Sequence, residues 1–175
     1  MKSQPETAAL AITPSQTVGP FFRVCLAADA EHGQLLTGET PRITLAVRVV
    51  DGGGAAVDDA LVEIWQTAPD GGPCAFGRLA TSDTGWCEFE TTRPPVPFAG
   101  AAHINVCLFA RGLLHHLFTR IYFDGDERLS NDPVLALVPE ARRPTLAAHA
   151  DPTTPGRWIF DIRLQGDHET VFFDA

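Results

Sequence analysis

Alternation with a period of two, broken every few residues by glycine, proline or aspartate, is the feature that most limits what this chain can fold into. From Arg42 to Val50, Ile43, Leu45, Val47 and Val49 share one side, and Asp51-Gly52-Gly53-Gly54 follows as a turn. Successive side chains of a strand point to opposite faces, so this run reads as a half-buried strand. Leu61 to Gln66 is a second strand, and Trp86 to Thr91, after an Asp83-Thr84-Gly85 turn, is a third. His103 to Phe109 and His116 to Asp124 are apolar enough to be central strands, separated by the Arg111-Gly112 break. Arg157 to Leu164 alternates again, aligning Trp158, Phe160, Ile162 and Leu164, and Glu169 to Phe173 closes the chain.

Helices have little room. Pro5, Pro14 and Pro20 remove backbone donors across residues 1–40, which read as an irregular N-terminal arm. The helical candidates are Asp132 to Val138, with Asp132 as cap and Pro133 at the first helical position, and Arg142 to His149. Pro69 to Gly77 reads as a loop. The expected fold is mainly β, an antiparallel β-sandwich with an irregular arm and short helices. A chain of 175 residues with 45% apolar side chains fits a single domain over 1–175.

A net charge of -9 gives no attractive field for nucleic acid or anionic lipid. With no apolar stretch of signal or membrane-span length, a soluble, cytoplasmic chain is expected. Cys25, Cys74, Cys87 and Cys107 form no CxxC pair and read as reduced structural thiols.

Chemical motifs are sparse: there is no GxSxG elbow, HExxH helix or phosphate loop. His103 and Asn105 share a strand face at the spacing of a chelating pair, but a neutral amide is a poor ligand for a transition metal. His115 and His116, adjacent in an expected strand, point to opposite faces. Asp58-Asp59 and Asp124-Gly125-Asp126-Glu127 read as solvent-facing carboxylates without the spacing of a calcium loop. Arg111 could hold a carboxylate through its planar fork or serve as a surface ion-pairing group. Thr17-Val18-Gly19-Pro20 offers a compact bend.

TPSQTVGPFF at 13–22, LVEIWQ at 61–66, AHINVCLFARG at 102–112, TRIYFDGD at 119–126 and RLQGDHETVFFDA at 163–175 together resemble the intradiol ring-cleavage dioxygenases. Within that family, the resemblance is greatest to the alpha chains of the branch that cleaves protocatechuate. It implies oxygen-dependent cleavage between the two ring hydroxyls, giving 3-carboxy-cis,cis-muconate, at a non-haem ferric ion held by two tyrosinates and two histidines. It also implies that the iron belongs to a partner beta chain. Here Tyr122 is the sole tyrosine, and it lies outside the family's ligand positions. Cys74-Ala75-Phe76-Gly77 and Val96-Pro97-Phe98 lack tyrosine where the two ligands are placed; His103 matches one histidine and Asn105 replaces the other. Gly100 stands for a family arginine and Arg120 for a glutamine.

The resemblance therefore implies a vestigial site at His103 and Asn105 and no metal on this chain. It assigns Thr17, Gly19, Pro20 and Arg111 to the wall of the beta chain's substrate pocket, with Phe21 where a tyrosine is common. Expected partners are the beta chain, protocatechuate and O2, in a higher oligomer of alpha-beta pairs. The alternative readings are a β-sandwich ligand-binding module without catalysis and an independent metalloenzyme built on His103, His115 or His116.

Overall fold

The computed structural model describes residues 11–27, 33–35, 42–67, 74–97 and 99–174. Its strands are β1 (Gly33–Gln34), β2 (Arg42–Val50), β3 (Leu61–Gln66), β4 (Ala75–Ala80), β5 (Trp86–Thr92), β6 (His103–Phe109), β7 (Leu117–Phe123), β8 (Ala147–Ala150) and β9 (Arg157–Arg163). They form one sheet in the order β1-β5-β2-β9-β8-β7-β6-β3-β4. The sheet is mixed, since β1 with β5, β2 with β9 and β7 with β8 run parallel. The expected antiparallel sandwich is corrected on this point: β8 continues the hydrogen-bonding ladder from β7 to β9 and joins what would be two sheets into one nearly closed, barrel-like sheet.

The alternating side chains fill the inside of this sheet. Leu45, Val47 and Val49 of β2, Ile64 of β3, Phe89 of β5, Ile104, Val106 and Leu108 of β6, Ile121 and Phe123 of β7, and Phe160 and Ile162 of β9 point inward to one core. At the open seam, Leu35, Leu79 and Phe89 lie against Gly33 and Gly77, where an added Cβ would collide with those side chains. Glycine is required there by close approach, and side-chain packing takes over where ladder pairing stops.

Several short elements differ from expectation. Phe21–Ala27 forms a seven-residue α-helix, α1, within the arm, directly after Pro20. Of the expected loop at 69–77, residues 69–73 lie outside the described residues and Ala75–Gly77 opens β4. Residues 135–137 and 140–146 are 3-10 helices rather than α-helices, and His149 lies in β8. His115 and His116 occupy the bend before β7, so the expected opposition of two strand side chains does not apply. The expected closing strand at 169–173 is reduced to the isolated bridge between Phe118 and Phe173. All four cysteines are free; Cys87 and Cys107 are buried, whereas Cys25 and Cys74 are exposed and are not packing thiols. No helix among the described residues is long and apolar enough to cross a membrane.

Candidate functional site

His103, Asn105 and their neighbours lie on the outer face of the sheet. β6 pairs with β7 so that His103 stands opposite Tyr122 and Asn105 opposite Arg120. The His103 ring approaches the Tyr122 ring at 5.6 Å, and its Nδ1 lies 3.0 Å from the carbonyl oxygen of Ala101. A carbonyl only accepts, so Nδ1 carries the proton and Nε2 keeps the lone pair. Burial lowers the pKa of His103 in spite of that carbonyl. A cavity of about 290 Å³ borders Asn105 and Arg120, with Trp65, Phe118 and Phe173 supplying its apolar walls.

Asp132, almost fully buried, organises the neighbouring loop. Its Oδ1 accepts hydrogen bonds from the Tyr122 hydroxyl at 3.1 Å and from the backbone amides of Val134 and Leu135, both at 2.9 Å. Its Oδ2 accepts from the amide of Ala101 at 2.9 Å. Burial alone would raise the Asp132 carboxyl, but the amides of Ala101 and Leu135, the Tyr122 hydroxyl and the amide of Val134 outweigh it and hold the pKa below its ordinary value. Tyr122 is pushed up to about 12, chiefly by burial and against the favourable neighbourhood of Arg120. Gly100 adopts a φ of 97°, and a Cβ there would run into Asp132 Oδ2. Both facts bar a larger side chain at that position.

These residues do not fit the ferric ion that the family implies. That ion calls for hard anionic oxygens together with imidazoles. The face offers one imidazole lone pair, one neutral amide at Asn105, and a phenol whose proton is held by burial and donated to Asp132. Among the described residues no three His, Cys, Asp or Glu side chains converge in a way that could hold a metal. Phe98, beside the second expected tyrosine position, lies outside the described residues.

A second grouping brings the arm to the turn after β6. Thr17 Oγ1 accepts a hydrogen bond of 2.7 Å from the amide of Gly112, joining residues 95 apart in sequence. Gly19 accepts through its carbonyl from the Phe22 amide at 3.1 Å, which turns the chain past Pro20 into α1. Phe22 then stacks on Phe109 at 5.2 Å, and Arg23 Nη1 donates to the carbonyl of Asp58 at 3.0 Å. Arg111 Nε donates to Asp59 Oδ2, a bond that raises the already high Arg111 pKa. A cavity of about 170 Å³ lies beside this junction, lined by Gln16 and Val18 of the arm and by Phe109, Leu113, Leu114 and His116.

The structure thus brings Thr17 to the turn that carries Arg111, with Gly19 and Pro20 shaping the bend beside it; His103 and Asn105 belong to the other grouping. Sequence reasoning passed over two residues that hold these groups together. Asp132 was readable as the cap of a helix starting at Pro133; the 3-10 helix instead starts at Leu135 after Val134, the Asp132 carboxylate still accepts from the amides of Val134 and Leu135, and nothing local pointed to Tyr122 or Ala101. Asp59 was readable as a solvent-facing acid, and its arginine lies 52 residues away.

A scan against family profiles returns no match. Comparison with curated proteins does: the protocatechuate 3,4-dioxygenase alpha chain of Burkholderia cepacia is 40% identical over 193 residues, covering 93% of this chain and 97% of that protein. The chain belongs to the protocatechuate 3,4-dioxygenase alpha-chain family. The beta chain of the same enzyme and organism is a more distant relative of this family member, 33% identical over 183 residues, 89% of this chain and 77% of its own length. Among solved structures, the dioxygenase domain of a dioxygenase carbohydrate-binding protein fusion from Streptomyces sp. SirexAA-E superposes with a TM-score of 0.62 at 25% identity, over 91% of this chain and 99% of that one. Intradiol ring cleavage with non-haem iron is therefore the chemistry of the family in which this chain stands.

Proposed function

We propose that this chain is the alpha subunit of a two-chain protocatechuate 3,4-dioxygenase, in which a beta chain holds the ferric iron and this chain walls the substrate pocket. The observation that carries the reading is the Thr17 to Gly112 hydrogen bond, which joins the arm to the turn bearing Arg111. It supports reading the arm residues and Arg111, which the resemblance assigns to one wall, as a single surface. The misfit of the His103 face to iron supports placing the oxygen chemistry elsewhere, and no step of it is assigned to this chain.

The junction has the character of a surface awaiting a partner. Ile12, Phe21, Val24 and Leu26 stand exposed on the arm and α1, with Ile12 at 95% and Phe21 at 75%, while Phe22 packs inward on Phe109. Three of them lie on the seven-residue α1, and exposed apolar side chains grouped on one short element favour a protein contact. Arg111 is 56% exposed at the side chain. In a pocket closed by the beta chain, its guanidinium would bind the ring carboxylate of protocatechuate, and the loss of water would strengthen that pairing. Thr17, Gly19 and Pro20 shape the wall and transfer no proton. Phe21 contributes packing without a hydroxyl.

Oxygen uptake with protocatechuate, together with iron content, tests the reading on this chain alone and on the chain co-expressed with a beta chain. Activity and stoichiometric iron in the co-expressed sample only are expected. Turnover by the lone chain would overturn the assignment.

A further inference from the structure

Asp59 is a charged residue at the junction to which the pocket-wall reading gives no task. It lies in the turn just before β3, and its carboxylate takes the Nε hydrogen of Arg111. Neither Nη1 nor Nη2 of that guanidinium donates to a described residue. An arginine gripped at Nε has its plane and direction fixed while both terminal nitrogens stay available, and a carboxylate fits a guanidinium through two parallel bonds. The two backbones that carry this pair are themselves tied to the arm. Arg23 holds the carbonyl of Asp58, next to Asp59, and Thr17 holds the amide of Gly112, next to Arg111. Asp59 is also the less exposed member of the pair, at 21% against 56% for Arg111. The acid is the anchored end and the guanidinium the presented end.

We propose that Asp59 is a positioning residue for substrate specificity: it holds Arg111 by Nε so that the terminal nitrogens face a carboxylate bound at the junction with the beta chain. This rests on the Arg111 reading given above. The opposite role, in which Asp59 competes with the substrate carboxylate for Arg111, would leave the guanidinium better disposed once Asp59 was removed. The two roles differ in the sign of the effect.

The test uses the alpha-beta complex carrying Asp59→Ala, Asp59→Asn, Arg111→Ala or Asp59→Ala with Arg111→Ala, and steady-state kinetics with protocatechuate and with catechol, which lacks the carboxylate. For Asp59→Ala we expect KM for protocatechuate to rise about tenfold, the scale of one well-oriented charge-assisted hydrogen bond, with kcat and the catechol constants little changed. Asp59→Asn keeps an acceptor for Nε and should show a smaller rise. In the Arg111→Ala background, Asp59→Ala should add nothing. A fall in KM for protocatechuate, equal effects on both substrates, or an undiminished effect without Arg111 would overturn the proposal. If Arg111→Ala discriminates between the substrates and Asp59→Ala does not, the positioning role alone fails. If Arg111→Ala does not discriminate, the pocket-wall reading fails and the positioning role goes with it.

Discussion

Replacing Asp132 by alanine should destabilise the fold more than almost any other single polar substitution. The carboxylate accepts from Ala101, Tyr122, Val134 and Leu135, and the amides of Ala101 and Leu135 and the Tyr122 hydroxyl are buried donors. A buried donor left without its acceptor costs about 1–3 kcal/mol. Three such donors, partly rescued by water entering the vacated space, give an expected loss of about 3–6 kcal/mol. Asp132→Asn separates the contributions. The amide oxygen can keep the three contacts of Oδ1, while its NH2 group would face the Ala101 amide, donor against donor, so a loss of about 2–3 kcal/mol is expected. Urea unfolding of the purified chain, followed by far-UV circular dichroism, reads both values from midpoint shifts at constant slope. A loss below about 1 kcal/mol for alanine, or equal losses for the two variants, would refute the reasoning.

The same pair of proteins gives a pH signature. The Asp132 carboxyl is held below its ordinary value in the folded state, so its ionised form contributes stability above the unfolded-state pKa of about 3.9. That contribution declines as pH falls through the folded-state pKa. The stability advantage of the wild-type chain over Asp132→Asn should therefore be full at neutral pH and shrink below about pH 4. An advantage that grew on acidification would contradict the sign.

Three further outcomes follow from the geometry. In the complex, Arg111→Ala should raise KM for protocatechuate by at least about tenfold and leave catechol nearly unaffected, measured by oxygen uptake. Asn105→His should not give the lone chain a stoichiometric ferric site by metal analysis, because the only nearby phenol, Tyr122, donates to Asp132 and is pushed up to about 12. In the folded chain alone, a thiol reagent should modify Cys25 and Cys74 quickly, while Cys87 and Cys107, buried and each raised to about 12 chiefly by burial, should react only on unfolding.

Of the strands long enough to show alternation, β2, β3, β5, β6, β7 and β9 were legible in the sequence, whereas β4 was missed because Ala75–Gly77 follow a glycine- and proline-bearing run and read as loop. β1 and β8, with two and four residues, are too short to carry a period. The barrel-like closure escaped for a different reason. Parallel neighbours such as β2 and β9 meet across more than a hundred residues of chain, and alternation says which face a residue takes but not which strand lies beside it. The α1 helix was hidden by the prolines before it, although Pro20 immediately precedes its first turn. At the site, the residue types and the His-x-Asn spacing were readable because β6 is regular. The Arg111 to Asp59 and Tyr122 to Asp132 contacts were not, since each depends on how turns from separate strands fold back on the sheet.

The contact between Gly100 and Asp132 limits what position 100 can hold. The family resemblance puts an arginine at position 100, and here the Asp132 carboxylate fills the space in which any side chain at that position would begin, on a backbone with a φ of 97°. Placing an arginine there by a single change would push against the group that ties Ala101, Tyr122, Val134 and Leu135 together. Removing Asp132 first would leave those donors unpaired. Either change made alone carries its own cost in stability, so positions 100 and 132 are locked together and could be exchanged only as a pair.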